Sequence, residues 1–303
     1  MQLTTSETNE KIAVIIATRG RPTIVAALVQ GLFQQTRPPD HVFVIGSGTE
    51  DIVDLTSTSR SLTTTIGRVG LTRQRNDGMA LLEAKFSHVI FLDDDFVPST
   101  FWIERMVSVF RDHPEIVGLT GTILADGIHS AGIGLEDAIA IVQQQDAAEP
   151  GHRPLQKRFP YGNNVGSNMA YRFSAMTGLR FDERLPLYGW HEDSDFRSQI
   201  ERRGSFVKTG DLWGVHLGHK VGRVRGNMLG YSQVANVIYL AGKGMLPKSF
   251  LLESAIRNVL SNAVRSLHPE PFIDRRGRLR GNMLALRDLL LRRLSPERVT
   301  SLR

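Results

Sequence analysis

The sequence predicts an α/β protein in which a mostly parallel central sheet is flanked by helices. In the first 95 residues, short apolar segments with the length of buried strands alternate with segments that have helical spacing. One apolar segment runs directly into three consecutive aspartates, and the carboxyl ends of strands are where ligands bind in an open α/β sheet. We expect this sheet to lie within residues 11–220 and residues 221–303 to form a basic, mainly helical appendage.

The strands expected in the first half of the chain are short apolar segments bounded by polar residues. They cover residues 11–17, 42–45, 62–66, 89–92 and 116–123. Helices are expected to begin near Pro22, Gly70 and Pro98. Proline suits the first position of a helix, and Ser99 and Thr100 can cap the free N–H groups of the third one.

The second half of the chain is less regular. Residues 143–161 are polar and contain glycine and proline, so we expect a flexible loop there, either a lid or a plain surface insertion. Helical spacing returns over residues 188–202 and is expected to stop at Gly204. Two more strands are expected at 206–209 and 212–215.

The C-terminal segment has two amphipathic helical patterns with an excess of basic residues. Their apolar stripes are Leu252, Ile256, Val259, Leu260, Ala263 and Leu267 in the first, and Met283, Leu286, Leu290 and Leu294 in the second. Residues 220–303 hold 16 Lys and Arg against five Asp and Glu, a net charge of +11, whereas the remaining 219 residues have a net charge of −5. This asymmetry indicates an anionic partner, and such helices can lie in a membrane interface. Helices packed on the body with solvated arginines are the alternative.

The composition excludes several kinds of site. The chain of 303 residues is long enough for one large core, and its 41% hydrophobic and 22% charged residues are typical of a globular protein. It has no cysteine, which excludes disulfides, thiolate metal sites and cysteine nucleophiles. Residues 1–10 lack the apolar core of a signal peptide, and no apolar segment reaches the ~20 residues of a membrane span. We therefore expect a cytoplasmic protein, peripheral on the inner face of the plasma membrane if the basic helices bind lipid.

The most distinctive motif is the apolar segment at 89–92 followed by Asp93, Asp94 and Asp95. Three adjacent carboxylates repel one another, and no cationic residue stands beside them in the sequence. A divalent cation and the phosphates of a ligand would neutralise them, and hard oxygen ligands suit Mg²⁺ or Mn²⁺. A solvated acidic turn after the strand is the alternative interpretation.

Five motifs follow one another along the chain. They are a strand ending in Thr18-Arg19-Gly20-Arg21-Pro22, then GLTRQRNDG at 70–78, FLDDDF at 91–96, GSNMAYR at 166–172 and WHEDSDF at 190–196. Their order resembles that of the family 2 glycosyltransferases with the GT-A fold, over roughly residues 11–220. The resemblance implies a Rossmann-like GT-A domain, a nucleotide-diphospho-sugar donor, a divalent metal and transfer with inversion.

The same resemblance implies roles for individual residues. The positions matched to nucleotide-sugar contacts are Thr18, Arg19, Arg21, Arg75, Asn76, Asp93 and Asp94. Asp95 matches the metal-binding position of the family. Asp193 matches the catalytic base, and Glu192 would orient the acceptor or the donor sugar.

These residue types suit the chemistry of sugar transfer. Negative charge builds on the diphosphate as it leaves, and a metal held by Asp95, with Arg75 or Lys220, would stabilise it. The attacking hydroxyl must lose a proton, and a carboxylate such as Asp193 is a suitable general base. Neighbouring carboxylates at 192 and 193 also fit a simpler role, in which they complement the dipole at a helix N-terminus.

Several residues keep two interpretations. His216 and His219 are both candidates for a third metal ligand, with His216 first because it directly follows an apolar segment, and either can instead be structural. Trp190 can stack on a sugar ring or belong to the core. Asn168 can bond a sugar hydroxyl or cap a turn, and Arg223 and Arg225 can reach the diphosphate or begin the basic segment.

Together these features predict an inverting glycosyltransferase that adds a sugar to a glycan or lipid-linked acceptor, in bacterial cell-surface or exopolysaccharide synthesis. One departure favours a non-catalytic nucleotide-sugar-binding or scaffold protein. The family's aspartate after the second strand is absent, and Gly46-Ser47-Gly48 stands there instead, with no acid before Glu50. A sugar-phosphate nucleotidyltransferase would need a glycine-rich loop and a lysine that the turn at 18–22 lacks. The Arg-rich segment has no interleaved aromatic residues, so we expect no nucleic-acid partner.

Overall fold

An eight-stranded sheet lies at the centre of the computed structural model, which describes residues 10–55, 61–148, 154–162 and 166–302. The strands are β1 (Ile12–Thr18), β2 (His41–Gly46), β3 (Leu62–Ile66), β4 (His88–Asp93), β5 (Phe96–Pro98), β6 (Ile116–Asp126), β7 (Asn168–Arg172) and β8 (Ser205–His216). Across the sheet they lie in the order β3-β2-β1-β4-β7-β6-β8-β5. Pairing is parallel from β3 to β4 and between β6 and β8, and it is antiparallel on both sides of β7 and between β5 and β8.

Helices cover both faces of this sheet. They are α1 (Pro22–Phe33), α2 (Leu71–Ala80), α3 (Trp102–Asp112), α4 (Leu135–Ala147), α5 (Phe173–Met176), α6 (Glu192–Ile200), α7 (Gly226–Lys243), α8 (Lys248–Arg265) and α9 (Arg275–Leu290). Alternate side chains of β1 enter different cores, because successive residues of a strand point to opposite faces. Val14 and Ile16 pack with α1 and α3, whereas Ala13 and Ile15 share a cluster with Phe196 of α6. The expected α/β architecture with helices on both faces is confirmed.

Strand register decides which polar side chains meet at one edge of the sheet. β4 runs parallel to β1 and ends at Asp93, which pairs with Ala17. The short β5 pairs with β8 so that Phe96 lies opposite His216. β6 also pairs with β8, and its last residue, Asp126, lies opposite His216. The acidic motif, a second acidic strand end and a histidine therefore converge.

Two expectations about the second half of the chain are wrong. Residues 143–147, expected in a flexible loop, form the end of α4, where Asp146 accepts hydrogen bonds from Ser99 Oγ (2.7 Å) and Trp213 Nε1 (2.7 Å). The polar sequence reflects a surface helix that buries little of its own surface. The two strands expected at 206–215 are one strand, β8, because its pairing with β6 continues through register shifts. Residues 1–9 and 149–153 lie outside the described residues.

The C-terminal helices α8 and α9 pack against α7, which is buried along much of its length. Buried amides join them: Asn262 of α8 donates to Gln233 of α7 (2.9 Å) and to Asn282 of α9 (2.9 Å), and Asn282 donates to the carbonyl of Gly230 (2.7 Å). The apolar stripe expected on α8 is largely exposed, since the buried side of that helix is formed by Leu251, Ser254 and Asn262. None of the helices in the described part of the chain has the length and apolar character of a membrane span.

Two glycines allow α7 and α9 to approach closely. A Cβ on Gly230 would collide with the carbonyl oxygen of Arg278, and one on Gly281 would collide with the carbonyl oxygen of Asn227. A methyl group at either position would therefore push the two helices apart.

We expect Gly281→Ala to lower the free energy of unfolding by about 1–3 kcal/mol, because an overpacked contact forces backbone to move. Gly242→Ala in α7 is the matched control: nothing lies within 4 Å of its added Cβ, and replacing a helical glycine stabilises by up to about 1 kcal/mol. Urea denaturation measures both variants. Unchanged stability in Gly281→Ala would contradict the close approach of α7 and α9.

Candidate active site

A buried arginine joins the two acidic motifs. Arg75 of α2 is only 2% exposed. Its Nη1 donates to Glu192 Oε1 (2.5 Å), and its Nη2 donates to Asp93 Oδ1 (3.0 Å) and to the carbonyl of Gly166 (2.8 Å). The end of β4, the start of α6 and the segment that leads into β7 are therefore held by one guanidinium.

Glu192 and Asp193 are neighbours in the first turn of α6 but have different surroundings. Glu192 is buried, and this burial, partly offset by Arg75, raises the pKa of its carboxyl to about 8. Its Oε2 has no hydrogen-bond partner among the described residues. Asp193 is half-buried and accepts hydrogen bonds from the backbone N–H groups of Ser194 (2.7 Å) and Gly166 (3.1 Å). Asp193 is thus the more accessible carboxylate of the pair.

Both carboxylates line one cavity of about 250 Å³, which we call the central cavity. Its wall also includes Asp93, Trp190 and His216. A smaller cavity of about 140 Å³, the edge cavity, lies at the ends of the strands and is lined by all three aspartates of the acidic motif and by Thr18, Arg19 and Arg21. Asp93 and His216 line both cavities, so the two spaces adjoin at the acidic motif.

Asp93, Asp95 and His216 form a group that fits a divalent cation. One ligand atom from each lies within 4.8 Å of the others. His216 Nε2 is 3.3 Å from Asp95 Oδ1, and His216 Nδ1 is 2.8 Å from Asp126 Oδ1. Two carboxylates and an imidazole suit Mn²⁺ or Mg²⁺, and a carboxylate on the far ring nitrogen is the usual support of a metal-binding histidine. The group also favours positive charge: burial lowers the pKa of His216, but Asp126 and Asp95 raise it to about 10.

His219 approaches the same carboxylate through its backbone. Its N–H donates to Asp95 Oδ2 (3.0 Å), and its carbonyl accepts from Arg21 Nη2 (3.0 Å). The ring of His219 does not belong to the group formed by Asp93, Asp95 and His216. The structure therefore distinguishes the two histidines, since only His216 presents a ring nitrogen to Asp95 together with Asp93.

Asp94 does not belong to this group, and its side chain supports the turn after β1. It accepts hydrogen bonds from Thr18 Oγ1 (2.7 Å) and Arg21 Nη1 (2.5 Å). Arg21 also lies 3.1 Å from Asp95, so it neutralises two members of the acidic motif. Thr18 and Arg21 therefore bond to the protein itself, whereas Arg19 is exposed on the wall of the edge cavity.

Two residues expected to contact the nucleotide sugar have structural partners instead. Asn76 Nδ2 donates to the carbonyl of Phe181 (2.9 Å), and its Oδ1 accepts from the N–H of the same residue (2.9 Å). Asn168 is fully buried, and its Oδ1 accepts from the N–H of Gly121 (2.7 Å). Neither asparagine lines the central or the edge cavity, because both side chains are held by neighbouring backbone.

Tyr188 and Trp190 form an aromatic pair, with ring centroids 6.2 Å apart. Both line the central cavity, and the buried Nε1 of Trp190 has no acceptor among the described residues. Trp190 therefore lies at a cavity wall, where its indole N–H has no acceptor among the described residues.

Sequence patterns missed Asp51, Asp126 and Tyr188. Asp51 is buried, and it accepts hydrogen bonds from the N–H groups of Gly48 (3.0 Å) and Gly20 (2.5 Å). A carboxylate thus reaches the end of β2, although the aspartate that supplies it stands several residues later in the chain. Asp126 is recognised as a residue of the site only when β6 is paired with β8, and a single sequence does not show this pairing.

Comparisons with known proteins give one family and several similar folds. Residues 13–182 match the family model described as Glycosyl transferase family 2, and no curated protein sequence matches the chain. The structure of S. aureus TarS 1–349 in complex with UDP-GlcNAc is 15% identical, with a TM-score of 0.57 over 96% of this chain and 83% of that one. The mannosyltransferase PcManGT from Pyrobaculum calidifontis, in complex with GDP-Man and Mn²⁺, is 16% identical, with a TM-score of 0.54 over 96% of this chain and 85% of that one. At these identities the likeness shows a shared fold.

We expect Arg75→Gln to lower the free energy of unfolding by about 3–5 kcal/mol near neutral pH, because the half-buried Asp93 loses its cationic partner and the buried Glu192 loses the donor to its Oε1. The loss should shrink as the pH falls towards about 4, since a carboxyl whose pKa is raised by folding costs stability only above its unfolded value. Urea denaturation at several pH values measures this dependence.

The control is Arg68→Gln. Arg68 also bridges two carboxylates, Asp77 (2.6 Å) and Glu183 (2.7 Å), but its side chain is 54% exposed. We expect a loss below about 1 kcal/mol for this variant, as for other surface ion pairs. Equal losses in the two variants would contradict the role of Arg75 as a buried bridge.

Proposed function

The chain belongs to glycosyl transferase family 2, and we propose from that premise that it transfers a sugar from a nucleotide-diphospho-sugar to an acceptor hydroxyl with inversion at the anomeric carbon. The observation that carries this proposal is the shared wall of the central cavity, where Asp93 and His216 of the cation group face the same space as Asp193. The bound UDP-GlcNAc of TarS and the GDP-Man and Mn²⁺ of PcManGT support a nucleotide sugar and a divalent metal.

Asp93, Asp95 and His216 would hold Mn²⁺ or Mg²⁺, with Asp126 fixing the orientation of the His216 ring. A bound cation neutralises charge on the diphosphate leaving group. The chain adds its own cationic groups there: Arg19 and Arg223 line the edge cavity beside the acidic motif. Arginine suits this role because its planar N–H groups match phosphate oxygens.

Asp193 is the proposed general base. The N–H groups of Ser194 and Gly166 fix its carboxylate, which leaves it partly accessible in the central cavity. Glu192 has a different role in this proposal: Arg75 holds one oxygen, and the unpartnered Oε2 can bond a sugar hydroxyl. A single displacement needs only one base, and it inverts the anomeric centre.

Titration of donor nucleotides and measurement of sugar transfer test these roles. With Mn²⁺ present, we expect Asp193→Asn to retain donor binding but to lower transfer about 10²–10⁴-fold, the usual contribution of a general base. Asp95→Asn should lose the Mn²⁺-dependent part of donor binding. His219→Ala is the control, because its ring lies outside the cation group, and it should retain that binding.

Two results would contradict the proposal. Donor binding by the wild-type protein without any transfer or donor hydrolysis would favour the non-catalytic, nucleotide-sugar-binding alternative. An absence of binding to every nucleotide sugar, with and without Mn²⁺, would contradict both interpretations.

We further propose that the acceptor is a glycan or a lipid-linked sugar of bacterial cell-surface polysaccharide synthesis, and that the protein meets it at an anionic membrane surface. Leu252 and Leu260 of α8 are 61% and 58% exposed, and Ile256 lies between them on the same stripe. The net charge of +11 over residues 220–303 favours an anionic lipid surface over a neutral one.

We expect the double variant Leu252→Ser, Leu260→Ser to bind vesicles of phosphatidylglycerol and phosphatidylcholine about tenfold more weakly, because two exposed leucines lose an apolar environment. Val53→Ser is the control, since Val53 is 66% exposed but lies outside the C-terminal helices. Cosedimentation at low salt measures binding. A wild-type protein that binds neutral vesicles as tightly as anionic ones would contradict a membrane role for α8. A double variant that binds anionic vesicles as tightly as the wild type would also contradict it.

A further inference from the structure

The C-terminal helices enclose a cavity of about 930 Å³, much larger than the other two spaces. One lysine and seven arginines stand among its lining residues, against a single carboxylate, Asp274. Asp274 Oδ1 accepts a hydrogen bond from the N–H of Gly277 (2.7 Å) at the start of α9, so it caps a helix. We call this space the arginine cavity.

Most of this positive charge is not neutralised by the protein. Within the described ranges, Arg223, Arg225, Arg278 and Arg280 form no ion pair and no side-chain hydrogen bond. By contrast, Arg275 of the same cavity donates to both oxygens of Glu270 (2.9 Å each). Four arginines that line one concave space without an acceptor indicate an anionic ligand, since arginine side chains in proteins bind carboxylates and phosphates.

Mutual repulsion inside the cavity agrees with this interpretation. Burial lowers the pKa of Lys220 to about 8, and the nearby Arg223 and Arg278 contribute to the decrease. Burial and the neighbouring Arg275 and Arg223 also lower the pKa of Arg278. An anion in the cavity would relieve this repulsion.

The arginine cavity adjoins both other cavities. It shares Arg223 with the edge cavity and shares Trp190 and Arg257 with the central cavity. Tyr188 lines all three spaces. A ligand that extends from the arginine cavity can therefore enter the spaces lined by the acidic motif and by Asp193.

We propose that the arginine cavity binds the acceptor and that this acceptor carries phosphate groups, as phosphodiesters or a diphosphate, close to the hydroxyl that receives the sugar. The inference rests on the proposed function, because it uses the position of Asp193 as the base. Arg225, Arg278, Arg280 and Lys220, none of which lines the edge cavity, exceed what one carboxylate would need, so a diphosphate or repeated phosphates fit them better. The volume is at the upper end of the ~300–1,000 Å³ usual for ligand sites, enough for more than one phosphate.

Two sources of such an acceptor have the same chemistry at this site. One is a water-soluble polymer with phosphodiester links, and the other is a lipid diphosphate. Arg257 lies on α8 between the cavity and the exposed stripe of Leu252, Ile256 and Leu260. A lipid chain would leave the cavity along that stripe, whereas a polymer would not need it.

Calorimetric titration of the full chain with inorganic pyrophosphate in EDTA tests the inference, because the chelator keeps metal out of the edge cavity. We expect the double variant Arg225→Gln, Arg280→Gln to bind pyrophosphate at least about tenfold more weakly, as two charge-assisted contacts are lost. Both residues are exposed, and neither lines the edge cavity, so Mn²⁺-dependent donor binding should stay unchanged. Arg287→Gln, an exposed arginine of α9 outside the cavity, is the control with the same charge change per residue.

Further arms of the titration separate the two sources. If the protein binds a glycerol phosphate oligomer with an affinity that the double variant Leu252→Ser, Leu260→Ser leaves unchanged, the acceptor is a polymer. If it prefers farnesyl diphosphate and the same double variant weakens that binding, the acceptor is a lipid. Pyrophosphate affinity equal in the double variant and the wild type would overturn the inference. Preference for a single-stranded oligonucleotide would also overturn it in favour of nucleic acid. These measurements need no turnover, so their failure is distinct from a failure of sugar transfer.

Discussion

The buried guanidinium of Arg75 is the contact on which the candidate site depends. It binds Asp93 at the end of β4 and Glu192 at the start of α6, two positions about a hundred residues apart in the chain. A buried ion pair stabilises only when both charges find partners, and here one cation serves two anions from different elements. The cation group at the sheet edge and the carboxylate of Asp193 are thereby held at a fixed separation.

Six carboxylates lie near one another without sharing one environment. Asp93 and Glu192 contact Arg75, Asp94 contacts Arg21, and Asp95 and Asp126 lie on either side of the His216 ring. Asp193 instead accepts hydrogen bonds from Ser194 and from the backbone N–H of Gly166. Burial, only partly offset by Arg21, raises the pKa of Asp94 to about 6, whereas His216 and Arg21 outweigh burial and lower the pKa of Asp95. Different partners thus give different protonation to identical side chains, which is how one site can hold a cation and a base together.

The sequence predicted those features that depend on residues close together in the chain. Apolar segments located β1, β2, β3, β4, β6 and β8 but not β5 or β7, and the acidic motif stood out by composition. The roles of the pair at 192 and 193 came from the family resemblance. Partners that are distant in the chain could not be predicted: the backbone of Phe181 bonds the side chain of Asn76, and the backbone of Gly121 bonds that of Asn168. Periodicity likewise predicted the apolar stripe of α8 but could not show that it faces outward, because a stripe does not reveal what covers it.

The buried course of α7 limits how the chain can be shortened. Tyr231, Val234 and Leu240 are covered by the other C-terminal helices and by neighbouring segments, and Asn262 of α8 satisfies Gln233. A truncated chain ending near Pro247 would keep α7 but expose its buried surface to water. The side-chain amide of Gln233 would also lose its partner, Asn262. Such a fragment would be prone to aggregation for reasons unrelated to catalysis. Deletion mapping would therefore report loss of folding where point substitutions can report loss of function.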